Sequence, residues 1–204
     1  MSSICFTILL AIITLFGGPT ESSREQSKDV ERAATIKAGM VLNFIRYTDW
    51  PETTFANSDS PIVLIVLGDS PITGQIEETV KDQKAHGRSI EIRRMAYPTP
   101  AAGEKVVSEK QLREFHEKLR ASHVLFICES ERDRVESMRE ALQASNVLTV
   151  SSIDSFAERG GMLGLAIRND RVAFDANQKE IERTKLKVSS QLLRLARVVE
   201  SRGK

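Results

Sequence analysis

The chain has 204 residues, of which 41% are hydrophobic and 28% charged, enough for one well-packed globular domain. Its 29 Lys plus Arg against 28 Asp plus Glu leave a formal net charge of +1, and only 5% of the residues are aromatic. That balance sets aside a nucleic-acid binder, which needs a basic field or a stacking platform, and gives no electrostatic pull toward acidic lipid.

The chain opens with residues 4–16, almost wholly apolar, and no charged residue precedes Glu21. A run of about 15 residues is short of the roughly 20 that span a bilayer, so residues 1–20 read as a secretory signal peptide, with an uncleaved anchor as the alternative. Met1-Ser2-Ser3 lacks the usual basic residue, and Cys5 lacks the small-residue context of a lipoprotein box. Residues 21–34 read as a polar linker. Loss of the signal leaves Cys128 as the only cysteine, so no intramolecular disulfide is expected. Cys128 closes the apolar run Val124-Leu125-Phe126-Ile127, which favours a packing role.

From residue 29 to 49, Ile36, Met40, Val41, Phe44 and Ile45 recur at helical spacing, so an amphipathic helix with that stripe buried is expected. It must stop near Trp50, because Pro51 pushes the preceding residue out of the helical region. Trp50, the only tryptophan, is expected to clamp the helix end onto the sheet. Residues 62–67 form an unbroken apolar run ending in Gly68-Asp69-Ser70-Pro71, the pattern of a strand buried on both faces and feeding a helix through Ile72, Ile76 and Val80. Residues 89–95 alternate as a strand with one covered face, and 97–103 form a loop. Ser108 and Gln111 match a capping box that starts a helix buried through Leu112, Phe115 and Leu119.

A strand follows at 123–128, then a helix that starts at Ser130 and Asp133 and carries Val135, Met138 and Leu142. Residues 147–150 form another strand. Gly160-Gly161 permits a tight bend, and residues 161–167 and 171–175 flank Asn169-Asp170 as a hairpin. A last helix is expected over 180–200, burying Val188, Leu192, Leu195 and Val199. The sum is an α/β fold: a single three-layer α/β/α domain over residues 35–200, with a mixed, mostly parallel sheet and a C-terminal hairpin plus helix.

Gly68, Asp69 and Ser70 end a strand where open α/β sheets place ligands, and free N–H groups at a helix start suit an anion. Ser151, with Ser152 and Asp154, ends another strand and is a second candidate wall of that crevice, or simply a helix cap ahead of Phe156. Turn residues are expected at such places in any case. His86, His116 and His123 lack metal-ligand spacing, and no G-x-S-x-G elbow is present. No metal, cofactor or catalytic constellation is expected. The basic residues Lys185, Lys187, Arg194 and Arg197 alternate with acidic ones and read as solvated surface.

Several segments together resemble one family. Ile36-Lys37-Ala38 through Asn43-Phe44 to Trp50-Pro51, then Val66-Leu67-Gly68-Asp69-Ser70-Pro71, then His123-Val124-Leu125-Phe126-Ile127, are similar to the YfiR family in the same order. So are Leu148-Thr149-Val150-Ser151, Phe156-Ala157 with Gly160-Gly161-Met162, and Leu186-Lys187-Val188-Ser189-Ser190-Gln191-Leu192-Leu193 with Leu195-Ala196. The resemblance covers roughly residues 35–199. It implies a non-catalytic periplasmic protein, here expected as a homodimer, that contacts the periplasmic part of a membrane-bound diguanylate cyclase and lowers cyclic di-GMP and biofilm formation. Members often carry a cysteine just before the His-Val-Leu-Phe strand and use disulfides that respond to redox state. Here that position is Ser122 and Cys128 has no partner, so gating by an internal disulfide is not expected. A periplasmic small-molecule, anion or cell-wall ligand module built on Gly68, Asp69 and Ser70 is the competing reading, and a serine hydrolase built on Ser70 or Ser151 a third.

Overall fold

The computed structural model describes residues 21–201, so the expected signal segment lies outside the described residues. The described residues begin with α1 (Glu21–Arg46), which takes in the segment 21–34 expected as a polar linker. It ends where Thr48 Oγ1 donates to Phe44 O at 2.7 Å, and β1 (Thr48–Asp49) follows ahead of Trp50-Pro51. Next come β2 (Ile62–Leu67), α2 (Thr73–Val80), β3 (Lys84–Ala85), β4 (Arg88–Met95), α3 (Glu109–Arg120) and β5 (Val124–Ile127). A 3-10 turn over Glu129–Arg134 leads into α4 (Val135–Ala141), then β6 (Leu148–Ser151), β7 (Leu163–Arg168) and β8 (Arg171–Asn177). The end of the chain holds α5 (Gln178–Glu182), β9 (Lys187–Val188), α6 (Ser190–Leu193) and β10 (Arg197–Val199).

Eight strands form one mixed sheet in the order β10-β8-β7-β6-β5-β2-β4-β3. The pairings are parallel except β7 with β8 and β3 with β4. Because successive residues of a strand face opposite ways, the unbroken apolar runs fill two cores at once. Ile62, Leu64, Val66, Val124 and Phe126 pack with α1 and α2, while Val63, Ile65, Leu67, Leu125 and Ile127 pack with Phe115 and Leu119 of α3 and Val135 and Met138 of α4. Each such side chain, fully buried, stabilises the fold by about 1.5–3 kcal/mol before entropy is counted. This is the expected three-layer α/β fold. The Asn169-Asp170 hairpin is present with both residues at positive φ, +49° and +58°, and the Ser108–Gln111 capping box closes reciprocally.

Two local expectations need correcting. The single helix expected over 180–200 is instead α5 and α6 separated by β9 and followed by β10. Thr184 Oγ1 donates to Ile181 O and accepts from Leu186 N, which ends α5, and Ser189 N donates to Tyr47 O as β9 pairs with β1. Leu195, expected in the core, is therefore 77% exposed. Ile36, expected on the buried stripe of α1, is exposed as well, because full burial on that helix starts only at Ala38.

The edge strand β10 is pinned by charge. Arg197 donates from Nε and Nη2 to the buried Asp175 carboxylate of β8 at 2.8 and 2.9 Å, Arg168 of β7 donates to the same carboxylate, and Arg197 also reaches Glu158. Burial would raise the Asp175 pKa, but the hydrogen bonds from Arg197 and Arg168 outweigh it and hold the carboxyl below its usual range. The contribution of this depressed acid is therefore present above the ordinary carboxylate pKa, about 3.9, and is lost as pH falls through and below it. Asp175→Ala is expected to cost about 2 kcal/mol at neutral pH, less than the ~3–5 of a fully buried pair because Arg197 is half exposed. Denaturant melts should show the gap to wild type shrinking at pH 3, whereas an equal gap at both pH values would deny the charge a role.

Candidate functional site

The strand order places β4 on one side of β2 and β5 on the other, so the chain reverses direction across the sheet at β2. Open α/β sheets leave a crevice at the carboxyl ends of the strands flanking such a reversal. That point holds Gly68, Asp69 and Ser70 after β2, and Cys128, Ser130 and Glu131 after β5. Gly68 adopts φ +83°, with its N–H donating to Met95 O at 2.8 Å, and the Asp69 N–H donates to Ser130 Oγ at 2.9 Å. Glu131 is buried beside this turn and accepts from Arg134 Nη1 at 2.8 Å, while the Arg134 guanidinium lies 4.4 Å over the Tyr97 ring. On the other flank Arg94 is ion-paired to Glu77, whose pKa is lowered by that hydrogen bond.

The chain's own side chains thus fill much of the crevice, and they do so with acids. Asp69 and Glu131 make it unattractive to the anion that the turn alone suggests. Ser70 Oγ accepts weakly from Ile72 N at 3.5 Å. Ser151 stands apart from this turn as a fully buried link in the sheet: its hydroxyl donates to Ile127 O at 2.7 Å and accepts from Ile153 N at 3.0 Å. Cys128 is buried against Thr73 at 3.9 Å, and burial pushes its thiol up to about 11, far from a reactive thiolate at neutral pH.

The histidines lie elsewhere. His86 precedes β4 and His123 precedes β5, so the parallel register puts both at the amino rim of the sheet, opposite the carboxyl rim where Ser70 follows β2 and Ser151 ends β6. Strands of four to six residues separate the two rims by roughly 13–20 Å at about 3.3 Å per residue. His123 Nδ1 accepts from Val63 N at 3.0 Å, and burial lowers its pKa, which keeps the ring neutral in the core. No serine–histidine pair forms across that distance. Among the described residues no group of His, Cys, Asp and Glu is placed to hold a metal ion.

A cavity opens at the amino rim, where residue-type patterns pointed to none. Trp50 Nε1 donates to His123 O at 3.1 Å, as expected of a clamp, and Phe55 stacks on His123 with centroids 4.4 Å apart. The Arg88 guanidinium lies 3.8 Å over Phe55 and donates to the carbonyls of Asn57, Ser58 and Ser60, fixing this loop as a wall. The cavity, about 690 Å³, is closed on the far side by Lys185 and Lys187. Its walls come from three separate stretches of chain, residues 49–58, 86–88 and 185–187, so only the fold brings them together. Arg88 falls just before the strand expected over 89–95, and nothing in its neighbourhood in sequence marks it as a clamp.

A family model described as YfiR/HmsC-like matches residues 34–197, which take in both rims of the sheet and the whole of the eight-stranded order except the last residues of β10. Comparison with curated proteins gives no match. The match spans most of the chain and agrees with the segments that carry the resemblance from Ile36 to Ala196, and so the chain belongs to the YfiR/HmsC-like family.

Proposed function

We propose that this chain is a non-catalytic periplasmic regulator that restrains a membrane-bound diguanylate cyclase by contacting its periplasmic part, lowering cyclic di-GMP and biofilm formation. The family match over residues 34–197 carries the reading. The chemistry of Ser151 and Cys128 supports it, because their polar atoms are spent on the fold: Ser151 bridges two backbone groups and Cys128 is held as a neutral thiol. Among the described residues no helix is long and apolar enough to cross a membrane, so contact with a membrane enzyme falls to the folded domain's surface. Ser122, buried with its hydroxyl on Leu119 O, occupies the place of a family cysteine, so the release of the cyclase does not run through a disulfide there. Affinity purification of the tagged protein from detergent-solubilised membranes is expected to bring down a protein with a cytoplasmic cyclase domain. Recovery of no such protein, with the bait folded and periplasmic, would remove the proposal.

A second reading, binding of a small molecule or anion, gains from the amino-rim cavity, which offers aromatic walls and two lysines. A thermal-shift screen with anions, nucleotides and cell-wall fragments tests it, since a ligand bound by the native state raises the melting temperature by mass action.

A further inference from the structure

We propose that the cavity between the end of α4 and α5 is a ligand site, separate from the amino-rim cavity, that takes a small carboxylate carrying an apolar tail. The inference rests neither on the regulatory reading nor on the amino-rim cavity. The space measures about 360 Å³, within the roughly 300–1,000 Å³ usual for small-molecule sites. Its floor is apolar because it is the outer wall of the core. Leu142 caps α4, Val147 leads into β6 and Met162 leads into β7, and all three are buried. Such a floor suits an apolar tail, which leaves water as it settles there.

The polar groups around this floor offer protons. The hydroxyl of the buried Thr149 accepts from Met162 N at 3.0 Å, which leaves its own proton to give. Arg139 and Arg183 stand at the sides. Arg139 Nη2 donates to Glu136 Oε1 at 3.2 Å, and Arg183 Nη1 donates to Glu180 Oε1 at 2.6 Å. Each of these bonds engages one of the five N–H donors of its arginine, and a guanidinium fork fits a carboxylate through two parallel bonds.

One of the two arginines is set in advance. Gly160 adopts φ +93°, and a methyl group there would run into Arg139 Cδ, so the arginine stem lies directly on the glycine turn. A side chain already ordered loses less freedom when a ligand binds. Glu180, the acid in the lining, is taken up by Arg183 and by Ser201 Oγ at 3.3 Å. Two arginines against one acid favour an anion over a cation. Inorganic phosphate would leave the apolar floor uncovered, whereas a carboxylate with a tail meets both halves of the site.

Isothermal titration of the purified protein with octanoate, phenylacetate and 1-octanol, combined with methyl NMR of the methionines, tests the assignment. At least one of the two carboxylates is expected to bind one per chain with a dissociation constant of about 1 mM or tighter, and 1-octanol at least about tenfold more weakly. Octanoate alone would assign a linear tail, phenylacetate alone an aromatic one, and either supports the site. Arg139→Gln and Arg183→Gln should each weaken the carboxylate about fivefold or more. Arg183→Gln, at an exposed position, should leave thermal unfolding unchanged. The Met162 methyl signal should shift on binding while those of Met40 and Met95 stay in place. Binding of neither carboxylate overturns the proposal, and so does a 1-octanol affinity equal to that of octanoate. A carboxylate that binds without moving the Met162 signal, or with indifference to both substitutions, overturns it as well by placing the ligand elsewhere.

Discussion

Trp50→Ala is expected to lower stability by about 4 kcal/mol, within the range for deleting a buried aromatic side chain. Trp50 is 7% exposed and sits where α1 has ended and the chain turns toward β2, with its ring edge-on to His123 at 6.1 Å and its Nε1 on the His123 carbonyl. Truncation opens a void at the amino rim between α1, the Phe55 loop and the start of β5. The hydrogen bond itself is the smaller part. His123 O also accepts from Leu148 N at 2.9 Å, so losing the indole leaves no buried acceptor unpaired. Trp50→Phe should therefore cost only about 1 kcal/mol. In a domain of this size that separates a fall in melting temperature of roughly 10 °C or more for alanine from a few degrees for phenylalanine. Equal losses for the two variants would show that the hydrogen bond, not ring volume, holds the rim.

Gly68→Ala is expected to cost about 3 kcal/mol for two separable reasons. The backbone φ of +83° disfavours any side chain by roughly 1–2 kcal/mol. The added methyl would also collide with Ser130 Oγ and come within 2.7 Å of Glu131 Cγ, an overpacking worth about 1–3 kcal/mol. Ser130 can move only by giving up the Asp69 N–H, which then loses its partner at the end of β2. The pair Gly68→Ala with Ser130→Ala should therefore recover part of the packing loss and none of the backbone loss, a coupling visible in a double-mutant cycle by denaturant unfolding. Strict additivity would mean that the two loops do not meet as described.

The central strands were legible because burial on both faces leaves an unbroken apolar run, and β2, β5 and β6 show it. The hairpin was legible because Asn169 and Asp170 tolerate the positive φ that a two-residue turn demands. The C-terminal segment was not. Leu192, Leu195 and Val199 fit a helical period, yet β9 gains a partner in β1 and β10 in β8, and these pairings span 140 residues at Thr48↔Val188 and 22 at Arg197↔Asp175. Local periodicity carries no information about such partners.

The site divides in the same way. Gly68-Asp69-Ser70 announces a turn at a strand end, and the structure sets it at the reversal point of the sheet. What occupies that turn, Ser130 and Glu131, comes from a loop some 60 residues on, and its acidity reverses the anion preference that the turn suggests in isolation. Ile36 taught the converse lesson: a residue on a helical apolar stripe is buried only where the helix still has a sheet beneath it.

Cyclic di-GMP measured in cells lacking this chain, and in the same cells complemented with it, tests the account most directly. Restraint of a cyclase predicts a rise on deletion and a return to the original level on complementation by the wild-type chain. A level that stays the same in all three strains, with the complementing protein present and folded in the periplasm, would contradict it.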